Sequence, residues 1–269
     1  MIIFKSINKL NKEVNFKANI GFVPTMGALH KGHISLIHKS KKKCKKTLVS
    51  IFINPSQFNN KKDFKKYPRR LSKDINILKK LKIDYLLIPK FQEIYKNKKS
   101  MQVKISKKDK ILCAKYRPGH FEGVLAVINQ LLLNIKAKYI FLGEKDYQQV
   151  YLIKKFISKK FITKVITCKT MRIKNSLALS SRNLLLSKNN FKKAILISSC
   201  VKNFYFSIKM NFKNKKKIYS LKNEITKQGA RIEYLELRNK NDLSQKYNKN
   251  NFKVFIAYYI QKIRLIDNF

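Results

Sequence analysis

The segment GFVPTMGALHKGH, from Gly21 to His33, decides the fold class predicted for this chain. It starts as an apolar run with the composition of a buried strand, passes through a turn around Gly27, and continues into a helix expected to begin near His30. A strand, a glycine turn and a helix start together direct backbone N–H groups and the positive end of the helix dipole at an anion. We therefore predict a phosphate site here, with room for the anion at Gly27 and Gly32.

Outward from this segment, short apolar runs alternate with segments of helical periodicity. The predicted strands are 18–23, 47–53, 84–88, 138–142 and 165–170. The predicted helices between them are 35–43, 71–81, 123–135 and 148–158. This alternation is typical of an α/β fold with a Rossmann-like parallel sheet, in which ligands bind at the carboxyl ends of the strands.

The pattern changes after about residue 175. A long helix is expected at 191–210, followed by a lysine-rich connection and strand-like runs at 231–237, 253–260 and 263–266. The polar stretch 239–251 is turn-like and predicts a hairpin-like excursion. We therefore predict two domains, a Rossmann-like ligand-binding domain at 1–175 and a smaller C-terminal α+β lid domain at 176–269.

The charge of the chain is extreme, with 62 Lys and Arg against 14 Asp and Glu and a formal net charge of +48. Hydrophobic residues still make up 44% of the sequence, which excludes a disordered polycation. Lysine is spread along the whole chain rather than concentrated on one tail, as expected from an AT-biased genome, so we predict no specific nucleic-acid partner. Self-repulsion at low salt should weaken the compact state.

Cysteine usage and hydropathy indicate the compartment. Cys44, Cys113, Cys168 and Cys200 lie far apart without a C-x-x-C pair, so neither a disulfide framework nor a zinc knuckle is predicted. The first residues lack the apolar core of a signal peptide, and no later run approaches the roughly 18 apolar residues of a membrane span. We expect buried free thiols, a cytoplasmic location and no membrane partner.

His30 and His33 are three residues apart at the expected helix start and could both donate to phosphate oxygens. Two alternatives remain open from these residues alone. The pair could begin a zinc site, although no further Cys or His cluster supplies the other ligands, or each ring could simply cap the helix. An H-x-G-H motif is shared by nucleotidylyltransferases and class I aminoacyl-tRNA synthetases and does not choose between them.

Four further segments carry polar residues suited to a nucleotide and an acid. VSIFINPSQF ends in amide side chains after a predicted strand, and RPGHFEG precedes a predicted helix. In FLGEKDYQQ, Lys145 can meet phosphate charge and Asp146 can bind ribose hydroxyls or orient a metal-bound water. LSSRN places two hydroxyls beside Arg182, a group suited to a triphosphate.

Together these segments closely resemble the pantoate–β-alanine ligase family, whose motifs PTMGALHxGH, VSIFxNPxQF, RPGHFxGV, GEKDxQQ, LALSSRN and RLIDN occur here in order over most of the chain. The resemblance implies a homodimer that condenses pantoate with β-alanine through pantoyl adenylate, using ATP and Mg²⁺, and it makes 1–175 the ATP- and pantoate-binding domain. It implies that the catalytic residues are His30, His33, Lys145 and Arg182, and that pantoate is bound by Gln57 and Gln149. The implied ATP-binding residues are Met26, Gly27, Ala28, Leu29, His30, Lys31, Gly32, His33, Gly143, Glu144, Lys145, Asp146, Met171, Leu179, Ser180, Ser181 and Arg182.

The sequence departs from the family pattern at a few positions. Lys31 stands where an acidic or polar residue is usual, and residues 173–176 (IKNS) replace an acidic residue and an Asp-Gly turn. Two other classes of protein compete with the ligase. A nucleotidylyltransferase acting on a phosphorylated acceptor would share the histidine pair without needing NPSQF or two consecutive glutamines, and a basic nucleic-acid-binding protein would need none of these motifs.

Overall fold

The structure is a computed structural model, and it describes residues 1–96, 102–174 and 176–269. The chain divides into two compact units. The first comprises Met1–Glu144 and Gln149–Lys169, and the second comprises Lys145–Gln148 and Thr170–Phe269. The predicted domain limits at residues 175 and 176, and the lid role of the second domain, stay predictions. The departure at residues 173–176 includes Asn175, which lies outside the described residues.

The first unit is built on a parallel sheet. Its strands are β1 Ile2–Phe4, β2 Ile20–Thr25, β3 Lys46–Ile51, β4 Tyr85–Leu87, β5 Tyr139–Gly143 and β6 Lys164–Cys168. Their spatial order is β1-β4-β3-β2-β5-β6, and each neighbouring pair is parallel. From β2 the chain moves to β3 and β4 on one side, and later to β5 and β6 on the other. The direction of winding therefore switches between β2 and β5.

Helices connect these strands. They are α1 Ile7–Glu13, α2 Lys31–Lys43, α3 Lys61–Lys66, α4 Leu71–Lys80, α5 Phe91–Ile94, α6 Cys113–Tyr116, α7 His120–Asn134 and α8 Tyr147–Ile157, whose first residues belong to the second unit. α2 packs very closely on β2, because a Cβ on Gly21 would lie 2.2 Å from the Oγ of Ser40. Val23, Leu36 and Leu78 are buried in the same core cluster, and full burial of such a side chain contributes about 1.5–3 kcal/mol.

The second unit has an antiparallel sheet. Its elements are β7 Arg172–Ile173, β8 Leu177–Ala178, α9 Lys188–Met210, α10 Ile218–Lys227, β9 Ala230–Asn239, β10 Phe252–Ile260 and β11 Ile263–Asn268. The larger sheet has the order β11-β10-β9, while β7 pairs with β8. α9, α10 and the larger sheet share one hydrophobic cluster that includes Ile197, Leu221 and Val254.

The α/β fold class with a smaller α+β domain is confirmed. Each predicted strand and helix is present with shifted ends, and the hairpin over 239–251 is confirmed, since Phe252 pairs with Asn239. One expectation is wrong: the lysine-rich connection contains α10. Leu221 and Ile225 are buried on one face of this helix, whose spacing was overlooked because the lysine run 215–217 directly precedes it. Within the described part of the chain, no helix is both long and apolar enough to cross a bilayer.

Candidate active site

The carboxyl ends of β2 and β5 lie side by side, because these strands pair directly, with Phe22 opposite Ile140. Met26 follows β2, whereas Gly143 ends β5 and Glu144 follows it. In open α/β sheets, ligands bind in the crevice at such a switch point. The residues of the first unit that are predicted to bind the nucleotide therefore directly follow the two strand ends where a ligand is expected.

The two histidines form a reciprocal cap at the start of α2. His30 is the N-cap residue, and its Nδ1 accepts a hydrogen bond from the backbone N–H of Gly32 at 3.1 Å. The Nδ1 of His33 accepts from the backbone N–H of His30 at 3.4 Å, and the two ring centroids are 4.1 Å apart. A neutral imidazole that accepts at Nδ1 carries its proton at Nε2. The predicted helix start is confirmed, and capping leaves each neutral ring in its Nε2–H form.

The prediction that backbone N–H groups of this turn point at the phosphates is wrong for most of them. The N–H of Gly27 is 3.2 Å from Oγ1 of Thr25, and those of Ala28 and Leu29 each lie 2.8 Å from a carboxylate oxygen of Asp74. The left-handed conformation of Gly27 (φ 76°) and Ala28 (φ 50°) accompanies this, and the N–H groups of Ala28 and Leu29 face α4. Donors for an anion must therefore come mainly from side chains.

Asp74 is a site residue that the sequence analysis missed. It is 2% exposed, and its two carboxylate oxygens hold two consecutive backbone N–H groups of the turn between β2 and α2. A Cβ on Gly27 would lie 3.0 Å from the same carboxylate, so glycine permits this approach. An acidic residue four positions before Leu78, on the buried stripe of α4, was the available signal.

Gln57 lies in a 3₁₀ turn, Pro55–Gln57, just beyond β3. The side chain of Asn54 caps this turn by accepting from Ser56 N–H, and its Nδ2 donates to the carbonyl of Gly123 at 3.0 Å. Gln57 is 8% exposed, and its Nε2 lies 2.6 Å from the Sδ of Met26. A thioether is a weak acceptor. The structure thus brings Gln57, predicted to bind pantoate, against Met26, predicted to bind ATP. A substrate oxygen would be a stronger acceptor for the Gln57 amide than the sulfur of Met26.

Side chains of the RPGHFEG segment hydrogen-bond to the backbone of Gln57. The carbonyl of Gln57 accepts from Nδ1 of His120 at 2.6 Å and from Nη2 of Arg117 at 3.3 Å. Because a carbonyl only accepts, Nδ1 of His120 is the donor, and Nε2 accepts from Nη1 of Arg117 at 3.0 Å. The sequence analysis noted this motif but assigned no role to its residues. Its contacts indicate a positioning role for the Gln57 turn.

Gly123 permits the close approach of α7 to that turn, and its replacement by alanine should displace the turn. A Cβ there would lie 2.3 Å from the carbonyl oxygen of Ser56 and 2.9 Å from the backbone nitrogen of Gln57. We expect Gly123→Ala to lower the free energy of unfolding by about 1–3 kcal/mol, measured by urea unfolding. The KM for pantoate should rise more than the KM for ATP. Leu133→Ala, on the exposed side of α7 (54% exposed), is the control that should change neither KM. An unaltered pantoate KM in Gly123→Ala would contradict this role.

In the second unit, LSSRN forms its own cap. Ser180 precedes the 3₁₀ turn Ser181–Leu185, accepts from the backbone N–H of Arg182 at 3.2 Å, and donates its own N–H to the side chain of Asn183. Ser181 is 6% exposed. The carbonyl of Met171 accepts from Leu179 N–H at 2.9 Å. These residues are brought together locally, and their binding of a triphosphate stays a prediction.

Lys145 lies in a 3₁₀ turn, Glu144–Asp146, directly after β5. Its Nζ is 3.3 Å from Oδ1 of Asp146, and its side chain is 17% exposed. Gln149 lies on α8 and is half-buried. The predicted catalytic residues are thus divided between the units, with His30 and His33 in the first and Lys145 and Arg182 in the second. Their individual roles stay predictions.

Comparisons with known proteins agree over the full length. Residues 2–269 match the family described as pantoate-beta-alanine ligase. Pantothenate synthetases from Francisella tularensis subsp. novicida and Francisella philomiragia are 41% and 42% identical, each covering 100% of this chain and 97% of the relative. A pantothenate synthetase structure from Thermus thermophilus has a TM-score of 0.93 at 28% identity, covering 100% and 99% of the two chains. The Francisella tularensis ligase, complexed with beta-gamma ATP and beta-alanine, has a TM-score of 0.86 at 41% identity, covering 100% and 97%.

The parallel sheet, with paired imidazoles after a strand beside its switch point, places the chain in the group of Rossmann-like α/β enzymes. Within that group, the chain belongs to the pantoate–β-alanine ligase family.

Proposed function

We propose that this chain joins pantoate to β-alanine with consumption of ATP, as an AMP-forming carbon–nitrogen ligase of its family. In the first step the pantoate carboxylate attacks the α-phosphorus of ATP, giving pantoyl adenylate and pyrophosphate. In the second step the amine of β-alanine attacks the acyl carbon and AMP leaves. The observation that carries the proposal is the pair of imidazoles that cap the start of α2 through Nδ1, together with the amide of Gln57 against Met26 in the same unit.

The first step joins two anions, so its barrier depends on placement and on positive charge at the phosphates. His30 and His33 donate from Nε2 to phosphate oxygens, since their Nδ1 atoms are engaged in the cap. Lys145 neutralises charge at the α-phosphate, and Arg182 with its neighbouring serines holds the β and γ groups. The adenylate then requires no covalent enzyme intermediate.

Pantoate is proposed to lie against Gln57 and Gln149, whose amides can donate to its carboxylate and accept from its hydroxyls. The contact of Gln57 Nε2 with Met26 Sδ supports this, because a pantoate oxygen would replace a weak acceptor by a strong one. The remaining predicted residues line the nucleotide: Gly27, Ala28, Leu29, Lys31, Gly32, Gly143, Glu144, Asp146, Met171 and Leu179.

Mg²⁺ is proposed to accompany ATP. Mg²⁺ is commonly held by one or two carboxylates together with substrate phosphates and water. Asp74 is engaged by two backbone N–H groups, whereas Asp146, which pairs with Lys145 at 3.3 Å, is 42% exposed and would hold a water of the ion. The residues present therefore fit an ion bound mainly through the triphosphate. The ion supplies charge neutralisation on the phosphates when bound.

The test is to mix the purified protein with ATP, Mg²⁺, pantoate and β-alanine and to look for AMP and pantothenate. Pyrophosphate exchange into ATP should require pantoate and should not require β-alanine. Exchange that instead required a phosphate ester would support a nucleotidylyltransferase. Tight binding of nucleic acid with a steep salt dependence, without exchange, would support the basic-protein alternative.

Two further parts of the proposal concern the state of the protein. We propose a homodimer, which sedimentation equilibrium would test. We propose a cytoplasmic location, which cell fractionation would test.

A further inference from the structure

Two polar residues are buried at the end of β11, in the RLIDN motif whose role the sequence left open. Asp267 is 5% exposed and Asn268 is 3% exposed. A buried carboxylate or amide is costly unless it is hydrogen-bonded. The partners of these residues therefore show what the motif holds in place.

Asp267 fixes the backbone at this point. Its carboxylate accepts from both Nη atoms of Arg172, at 2.7 and 3.0 Å, and from Oγ of Ser198 at 3.1 Å. Its Oδ1 also accepts from the backbone N–H of Asn268 at 2.8 Å. Arg172 in turn donates to the carbonyl of Asn268 at 2.8 Å. The main chain of Asn268 is thus held on both sides by charge-assisted hydrogen bonds.

The side chain of Asn268 reaches the turn after β5. Its Nδ2 donates to the backbone carbonyl of Lys145 at 2.9 Å, and its Oδ1 accepts from Nζ of Lys253 at 2.9 Å. Lys253 also lies over the ring of Tyr147, with its Nζ 4.9 Å from the centroid. The hydroxyl of Tyr147 donates to the carbonyl of Lys240 at 2.7 Å. All of these residues belong to the second unit.

We propose that Asn268 is a positioning residue for Lys145. It holds the Lys145 carbonyl, and through it the Cα from which the ammonium reaches the α-phosphate. The inference rests on the proposed function for the role of Lys145. A flexible four-carbon stem places its charge well only if its base is fixed, and a misplacement of about 1 Å can lower a rate by about 10²-fold.

Asn268→Asp tests the contact with little change in shape. It replaces the N–H donor by an oxygen that repels the Lys145 carbonyl, and it keeps the acceptor for Lys253. We expect pantoate-dependent pyrophosphate exchange to fall by about 10–100-fold. The dissociation constant of pantoate should stay within about twofold, because its proposed ligands, Gln57 and Gln149, lie in the first unit. Lys253→Met keeps the hydrogen bond from Asn268 to the Lys145 carbonyl, so this control is expected to retain pyrophosphate exchange.

A double-mutant cycle separates positioning from a general structural effect. If Asn268 acts through Lys145, Asn268→Asp should add little to the loss caused by Lys145→Ala. Additive losses, or unchanged exchange in Asn268→Asp, would overturn the proposal. Asn268→Ser, whose shorter side chain cannot reach the carbonyl and adds no charge, replaces Asn268→Asp if that variant does not fold.

Hydrogen exchange gives a readout that does not depend on activity. Amides of residues 145–148 should exchange faster in Asn268→Asp and Asn268→Ser than in the parent protein, while those of β2 should not change. Equal protection at 145–148 in parent and variants would overturn the anchoring. If the parent protein lacked pantoate-dependent pyrophosphate exchange, the proposed function would fail. Hydrogen exchange would still decide whether Asn268 anchors the turn.

Discussion

Replacing His33 by alanine is expected to lower the rate of adenylate formation by about 10²–10³-fold, the usual cost of removing one preorganised donor from developing charge. In the proposed mechanism the ring donates from Nε2 to a phosphate oxygen, and its Nδ1 also holds the backbone N–H of His30. The dissociation constant of pantoate should change far less, because Gln57 is held by α7 and by RPGH rather than by α2. Single-turnover formation of adenylate measures the rate directly.

The control for this experiment lies on the same helix. His38 is exposed on α2, one turn beyond His33, so His38→Ala alters the helix without touching the cap. It should keep the parent rate. Loss of the cap in His33→Ala should also reduce the free energy of unfolding by about 0.5–2 kcal/mol. Adenylate formation at the parent rate in His33→Ala would remove the main catalytic assignment.

Replacing Asp74 by asparagine is expected to impair both stability and catalysis. The amide keeps one acceptor oxygen for the turn, and its NH₂ group then faces the second backbone N–H, of Ala28 or Leu29. Leaving a buried donor unpaired costs about 1–3 kcal/mol, which urea unfolding would measure. Because the same turn leads into His30, we also expect pyrophosphate exchange to fall by about 10-fold or more.

Asp84→Asn is the matched control. The carboxylate of Asp84 also accepts from a backbone N–H, that of Thr47 at 2.8 Å, and from Nζ of Lys46 at 2.8 Å. It stands before β4, at the amino ends of the strands, away from the edge that carries the histidines. This variant should lose stability while keeping exchange activity per folded molecule. Equal loss of activity in the two variants would mean that Asp74 acts only through stability.

The sequence was sufficient for the architecture because apolar periodicity survives the lysine enrichment in most elements. The strand and helix around Gly27 were predicted with the correct start near His30, since a capping position depends on local residues. α10 was not predicted, because it follows directly on the lysine run 215–217 and the whole stretch was read as a connection. β1 was not predicted either: it is a three-residue strand whose identity depends on its pairing with β4.

The site was only partly predictable for a similar reason. Short-range motifs selected Gln57 and both histidines as candidates, but the hydrogen bonds of Asp74 and Asn268 span long sequence separations, of 45–46 and 123 residues. Such contacts leave little trace in a single sequence beyond a polar residue on a buried stripe. The direction of the N–H groups at Ala28 could not be read either, because it depends on a left-handed backbone conformation at a residue other than glycine.

The positions of the carboxylates suggest how far basic drift can proceed in this chain. Asp74, Asp84 and Glu93 each accept from a backbone N–H of another segment, and Asp109 and Asp267 pair with Lys155 and Arg172. An AT-rich codon bias favours substitution of such an acid by asparagine or lysine. The substitution would leave a backbone donor or a cation without its acidic partner. Mutational tolerance should therefore be asymmetric. Further lysines should be accepted on exposed faces, whereas loss of any of these acids should be penalised.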